Sequence, residues 1–104
     1  MGVIPVLTTL PPKHLDTWNN QRIDQFNTII RTVAQQNDVP LIDYWLALQK
    51  APNQGISSDG VHPSFPVDGS TVRLSGPDLD RGYVIRNLTA LQMLDALWHS
   101  VLAY

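Results

Sequence analysis

The sequence predicts an α/β chain with parallel strands, and three observations carry that expectation. Two short apolar runs stand at Val3–Leu7 and Pro40–Trp45, an amphipathic segment lies between them, and an apolar stripe at helical spacing closes the chain. Strand, helix and strand in this order predict a right-handed crossover unit, because two parallel neighbours need a long connection that returns the chain to the same edge.

The first run is apolar throughout, carries β-branched residues, is interrupted by Pro5 and ends at Thr8, Thr9 and Pro11-Pro12. It reads as a strand buried on both faces. Pro11 to Leu15 can neither continue a strand nor start a helix cleanly, so it forms a loop at the strand's C-terminal end, where active sites of open α/β sheets commonly lie. Asp16 or Thr17 caps a helix whose apolar face is Ile23, Phe26, Ile30 and Val33, and Asn37-Asp38 ends it. Pro40 to Trp45 is the second strand, Leu46 to Gln49 adds a helical turn, and Ala51 to Ser58 is a polar loop. Gly, Pro, Ser and Asp dominate Pro66 to Asp80, which predicts an extended loop or small flap. From about Asp80 onward, Val84, Leu88, Leu91, Leu94 or Leu97, Trp98 and Val101 mark a long closing helix.

At 104 residues the chain is one domain or part of one. Its 43% apolar and 15% charged residues are those of a globular chain. No apolar run approaches the roughly 20 residues that cross a bilayer, so no membrane span is expected. The first ten residues lack a basic leader and a small-residue cleavage site, which argues against a signal peptide and leaves the compartment open. A net charge of −2 with seven scattered Lys and Arg gives no footprint for nucleic acid. Without cysteine, disulfides and thiolate metal sites are excluded. His14 with Asp16 has no third ligand at suitable spacing, so neither a metal nor a cofactor is expected.

The chemistry concentrates in Asp59-Gly60-Val61-His62-Pro63-Ser64. An acid three positions before a histidine, in a turn flanked by Gly and Pro, can hold one imidazole nitrogen while the other faces a substrate. The carboxylate fixes the tautomer and stabilises the imidazolium formed when the histidine takes a proton. The nucleophile for such a base is missing: there is no Gly-x-Ser-x-Gly, no Gly-Asp-Ser and no cysteine.

In the order strand, Thr-Leu-Pro-Pro loop, amphipathic helix, short strand ending in Asp43, polar loop and Asp59–Ser64 turn, the chain resembles the C-terminal part of the SGNH, or GDSL-type, hydrolases. That resemblance implies a three-layer α/β/α, flavodoxin-like fold of which residues 1–104 supply only the C-terminal portion, as a single partial domain. It also implies Asp59 as orienting acid and His62 as general base in a Ser-His-Asp ester hydrolysis. The family's serine, glycine and asparagine have no matching residues here, which predicts little activity for the chain alone, and the uncovered edge of so small a parallel sheet predicts a missing N-terminal segment or self-association. The implied substrates are small acyl esters, thioesters or acetylated carbohydrates. The stretch from Phe65 to Arg81 exceeds the family's direct run into the final helix and either shapes a pocket or is peripheral.

Plainer roles stand beside these. Asp59 and His62 could be a turn-capping carboxylate and an exposed loop histidine, and the chain a non-catalytic α/β binding module. Ser57, Ser58 and Ser64 read as turn and cap residues rather than nucleophiles. His14 reads as a loop histidine near the pocket mouth, His99 as a dipole-favoured residue near a helix C-terminus, and Trp18, Trp45 and Trp98 as packing residues. Asn87-Leu88-Thr89 matches a glycosylation acceptor but lies within a predicted helix. Asp43 either faces the site or terminates its strand.

Overall fold

A computed structural model describes residues 2–102. Its sheet has two parallel strands, β1 (Leu7–Thr8) and β2 (Leu41–Ile42), paired Leu7 to Leu41 and Thr8 to Ile42. The Leu7 amide donates to the Pro40 carbonyl at 3.0 Å and the Thr9 amide to the Ile42 carbonyl at 3.1 Å. The first strand is thus shorter and later than the apolar run Val3–Leu7 predicts. Pairing begins only where the second run lies opposite, and Pro5 has no N–H to offer a ladder. Val3, Ile4 and Val6 are exposed rather than buried on both faces.

Helix α1 (Thr17–Gln36) joins the strands. Asp16 caps it by accepting the Asn19 amide at 2.7 Å, and Asp38, at φ 51°, turns the chain out of it. Its buried face is Ile23, Asn27 and Ala34, whereas Phe26 and Val33, expected inside, are exposed. The helix is rotated toward Asn27 because that side chain satisfies both backbone groups of Leu10, accepting its N–H at 2.7 Å and donating to its C=O at 3.0 Å. A polar residue on the inner face is invisible to an apolar pattern, yet its two bonds fix the loop after β1 to the helix.

The second strand also shrinks, since Asp43 ends it and caps α2 (Tyr44–Leu48), accepting the Leu46 amide at 3.3 Å. Tyr44, Leu48 and Ile85 form a core cluster with Ile42 and Ala51 packed against it. The Tyr44 hydroxyl donates to the Gly82 carbonyl at 2.7 Å, and burial pushes its pKa up to about 12. A 3₁₀ turn over Pro52–Gly55 follows. Residues 66–80 run extended into a second 3₁₀ turn, Gly76–Asp80, with Arg73 bonded to Asp68 at 2.6 Å and Asp78 at 2.7 Å.

The closing helix α3 (Gly82–Leu97) continues as a π-turn over Trp98–Leu102. Only its first turn is buried, through Val84 and Ile85; Leu91, Leu94, Trp98 and Val101, although at the predicted spacing, are exposed. Trp18 and Trp98 lie outside the core, 61% and 56% exposed, and Trp45 is half-buried with the Arg31 guanidinium 5.7 Å from its ring centroid. Core packing is therefore corrected for Trp18 and Trp98, while Trp45 packs in part. The Cα radius of gyration, 14.9 Å, exceeds the roughly 13 Å of a compact chain this long. Apolar faces lie open instead of collapsing on one another. No helix among the described residues is long and apolar enough to cross a membrane.

Candidate functional site

The Asp59–His62 turn hangs between two fixed points. An isolated antiparallel bridge pairs Ile56 with Pro63, the Ser57 amide donates to the His62 carbonyl at 2.8 Å, and the Gly60 amide donates to the Ser57 carbonyl at 3.0 Å. On the other side the His14 amide donates to the Gly60 carbonyl at 2.7 Å, clipping the turn to the loop after β1. Gly60 is required there twice over. Its φ is +76°, and a Cβ would come within 3.2 Å of the His14 carbonyl oxygen.

Asp59 uses its two oxygens differently. Oδ1 accepts the Ser57 hydroxyl at 2.8 Å and the amides of Val61 at 2.8 Å and His62 at 2.9 Å. Oδ2 bonds His62 Nδ1 at 2.6 Å. Three local donors thus lock the carboxylate so that its remaining oxygen points at the ring. The Val61 amide, the His62 ring and amide and the Ser57 hydroxyl together hold the Asp59 carboxyl well below the usual carboxylate range. An ionised carboxylate only accepts, so Nδ1 must be the donor and Nε2 of the neutral ring carries the free lone pair. His62 is exposed, and among the described residues no hydrogen bond engages Nε2. The arrangement can abstract a proton.

Ser64 lies buried on the far side of the turn. Its hydroxyl donates to the Gly55 carbonyl at 3.2 Å and accepts the Gly82 amide at 3.0 Å, capping α3 from 18 residues away. Gly82 itself must be glycine, because a Cβ would run into the Gly55 backbone and stand 2.9 Å from Pro63 Cβ. Ser57 and Ser64 therefore have the turn and cap roles their sequence neighbours suggest, and Ser58 is exposed at the turn.

Among the described residues no hydrogen bond joins Asp43 to His62, and Asp43 is tied into the scaffold. It accepts the Thr9 hydroxyl at 3.0 Å and the Arg31 Nε and Nη2 groups, each at 3.0 Å. Burial raises its pKa, but the bonds from Arg31, Thr9 and Leu46 outweigh this and leave it lowered. Of the two roles the sequence left open, strand termination and capping is the one its contacts serve. His14 lies close to the turn, with Nε2 3.2 Å from the Asn53 carbonyl oxygen, whereas His99 sits in the terminal π-turn with Nδ1 2.9 Å from the Asp95 carbonyl oxygen. Asn87 lies within α3 and donates to the Thr71 carbonyl at 2.9 Å. Among the described residues no group of three His, Cys, Asp or Glu side chains could hold a metal.

A sequence model of the GDSL-like lipase/acylhydrolase family matches residues 1–65, which takes in β1, α1, β2 and the whole Asp59–Ser64 turn. The chain belongs to that family. No curated protein matches it. A hydrolase relationship and an α/β architecture with parallel strands thus stand together for this GDSL-like chain. The flap and α3 lie beyond the matched span.

Sequence reasoning missed Asn27, His14 as a backbone clip and Gly82. The first breaks an apolar pattern, and the other two act only through residues distant in sequence. A polar residue inside an amphipathic repeat was the one available signal.

Proposed function

We propose that this chain supplies the acid–base part of a GDSL-like serine esterase site, with Asp59 as orienting acid and His62 as general base. The observation that carries the reading is the 2.6 Å contact of Asp59 Oδ2 with His62 Nδ1, in a turn that leaves Nε2 free. In the complete site Nε2 takes the proton of a serine hydroxyl as its oxygen attacks the ester carbonyl. The imidazolium, stabilised by Asp59, then protonates the leaving alcohol, and water repeats the cycle on the acyl-enzyme.

The serine and the oxyanion donors come from a further segment, and residues 1–104 form one partial domain of a three-layer α/β/α fold. The exposed apolar faces of α1 and α3 and the short, open-edged sheet support this incompleteness. Substrates are small acyl esters, with acetylated carbohydrates in the same chemical class. Alone the chain is a poor catalyst, since general-base help contributes about 10²- to 10⁴-fold and one missing oxyanion donor costs about 10²- to 10³-fold.

The test joins this chain to the nucleophile-bearing half of a GDSL-like hydrolase and measures p-nitrophenyl ester hydrolysis. The reading expects activity that the separate chain lacks and that His62→Ala lowers by about 10²-fold or more. Unchanged hydrolysis in the His62→Ala fusion would overturn it.

A further inference from the structure

We propose that Asn20 of α1 is a positioning residue for His62, acting through the Leu10–His14 loop, which it helps to hold as a strap against the Asp59–His62 turn. The inference rests on the acid–base reading for its catalytic meaning, while its geometry stands without it. Among the described residues, a single hydrogen bond joins residues 57–63 to another part of the fold, from the His14 amide to the Gly60 carbonyl at 2.7 Å. Asp59 and its local donors fix the His62 ring within the turn but do not fix the turn itself. Where the tip of the turn stands relative to β1 and α1 is set by what holds His14.

Two asparagines of α1 hold the strap. Asn27, 1% exposed, bonds both backbone groups of Leu10 at 2.7 and 3.0 Å. Asn20 lies about two helical turns earlier and therefore on the same face, where its Oδ1 accepts the Lys13 amide at 3.1 Å. Between these anchors stand Pro11 and Pro12, whose rings fix φ and leave few torsions free. The next amide after that of Lys13 is that of His14. One peptide unit thus separates the bond to α1 from the bond to the turn, with Cα atoms about 3.8 Å apart. The His14 ring adds a second tie, with Nε2 3.2 Å from the Asn53 carbonyl oxygen at the foot of the turn. The tip has no slack, since a Cβ on Gly60 would stand 3.2 Å from the His14 carbonyl oxygen.

Asn20 is the member of this relay whose role can be isolated. It is half-buried, and among the described residues its side chain makes this one hydrogen bond, with none to Asp59 or His62. What it contributes is an acceptor at a fixed height on α1. A reacting group misplaced by about 1 Å can lose about 10²-fold in rate. One loop hydrogen bond is worth only about fivefold in an equilibrium. The strap therefore matters to His62 through placement more than through stability.

The test uses the 104-residue protein and compares two variants. Asn20→Leu deletes the acceptor at similar size, whereas Asn20→Asp keeps an acceptor and adds a charge that suits a position near a helix N-terminus. Amide hydrogen exchange is followed at Lys13 and His14 and the ring signals of His62 by NMR, with the α1 amides from Ile23 to Ile30 as the reference for the fold. Asn20→Leu is expected to speed exchange at Lys13 and His14 about fivefold and to shift the His62 ring signals, with α1 unchanged. Asn20→Asp is expected to keep both as in the unaltered chain. Asn20→Ala, a better helix former, is expected to repeat the Leu result and stands in if the Leu variant does not fold. His62 ring signals that keep their native positions in the Leu and Ala variants, faster exchange that spreads equally through α1, or Asp and Leu variants that behave alike would each overturn the proposal, because a merely structural role for Asn20 gives these results. The variants are compared with the unaltered chain whichever nitrogen of His62 carries its proton, so this proposal and the acid–base reading can fail separately.

Discussion

Asp43 and Asp59 each accept four hydrogen bonds, each has a basic partner and each has a lowered pKa, yet their partners differ in kind. Asp43 spends its oxygens on a guanidinium, a threonine hydroxyl and a helix amide. Arginine does not give up its proton, so the pair can only hold β1, α1 and α2 together. Asp59 spends one oxygen on its own turn and reserves the other for an imidazole, whose neutral ring has a donor nitrogen for the carboxylate and a second nitrogen that can accept. The difference lies in the chemistry of the partner and in exposure. The Arg31 and Asp43 side chains are 38% and 28% exposed, those of His62 and Asp59 66% and 49%.

The largest expected effect separates the two directly. In a fusion that hydrolyses esters, Asp59→Asn lowers kcat/KM by about 10²-fold or more, because an amide can present a donor to Nδ1 and no longer stabilises the imidazolium. Asp43→Asn in the same fusion leaves kcat/KM within a few-fold. Its effect is on stability: the amide oxygen still accepts the Leu46 amide and the Thr9 hydroxyl, but the second carboxylate oxygen becomes an NH2 that cannot accept from Arg31, and losing this charge-assisted bond costs about 1–3 kcal/mol in urea unfolding. The pair's half-exposed geometry keeps its own ionic share small. A rate loss from Asp43→Asn equal to that from Asp59→Asn would erase the distinction.

An acid titration sharpens it next. Asp59 and Asp43 are both held below the unfolded carboxylate value of about 3.9. A carboxyl whose folded pKa is lowered stabilises the fold above its unfolded pKa, and that contribution disappears as pH falls through the lowered folded value. The Val61 amide, which reports on Asp59 Oδ1, should therefore keep its native NMR shift through the ordinary carboxylate range and move only at lower pH. Movement centred near pH 4 would contradict the locked turn. The smallest effect is Ser57→Ala, which removes one of three donors to Oδ1 and is expected to cost no more than about 1 kcal/mol by urea unfolding, with the turn still held by the Val61 and His62 amides.

What was legible in the sequence follows the range of the interactions involved. The Asp59–His62 contact, the Asp16 cap, the end of α1 at Asn37-Asp38 and the parallel order of two strands all depend on neighbours a few residues apart or on simple periodicity, and all are present. The extent of the strands was not legible, because Val3 to Val6 would need a partner that the described residues do not place beside them. The rotation of α1 was hidden for another reason: Asn27 satisfies both Leu10 backbone groups, which an apolar side chain would leave unpaired. The half-bare α3 shows that helical spacing predicts a helix without saying whether its stripe is covered. Within the proposed site, the Asp59–His62 contact could be read from six residues, whereas Gly82 and the His14 clip owe their roles to backbone contacts made across the fold.

The most direct test of the account is the tautomer of His62, read from its two ring nitrogens by long-range ¹H–¹⁵N NMR at about pH 8.5, two units above the ordinary imidazole pKa. The 104-residue chain suffices for it. Asp59 is predicted to hold the neutral ring with its proton on Nδ1 and a free Nε2, and Asp59→Asn is predicted to remove that bias. A proton on Nε2 in the unaltered chain, or a tautomer indifferent to Asp59→Asn, would mean that the turn does not prepare a base, and the central claim would fall.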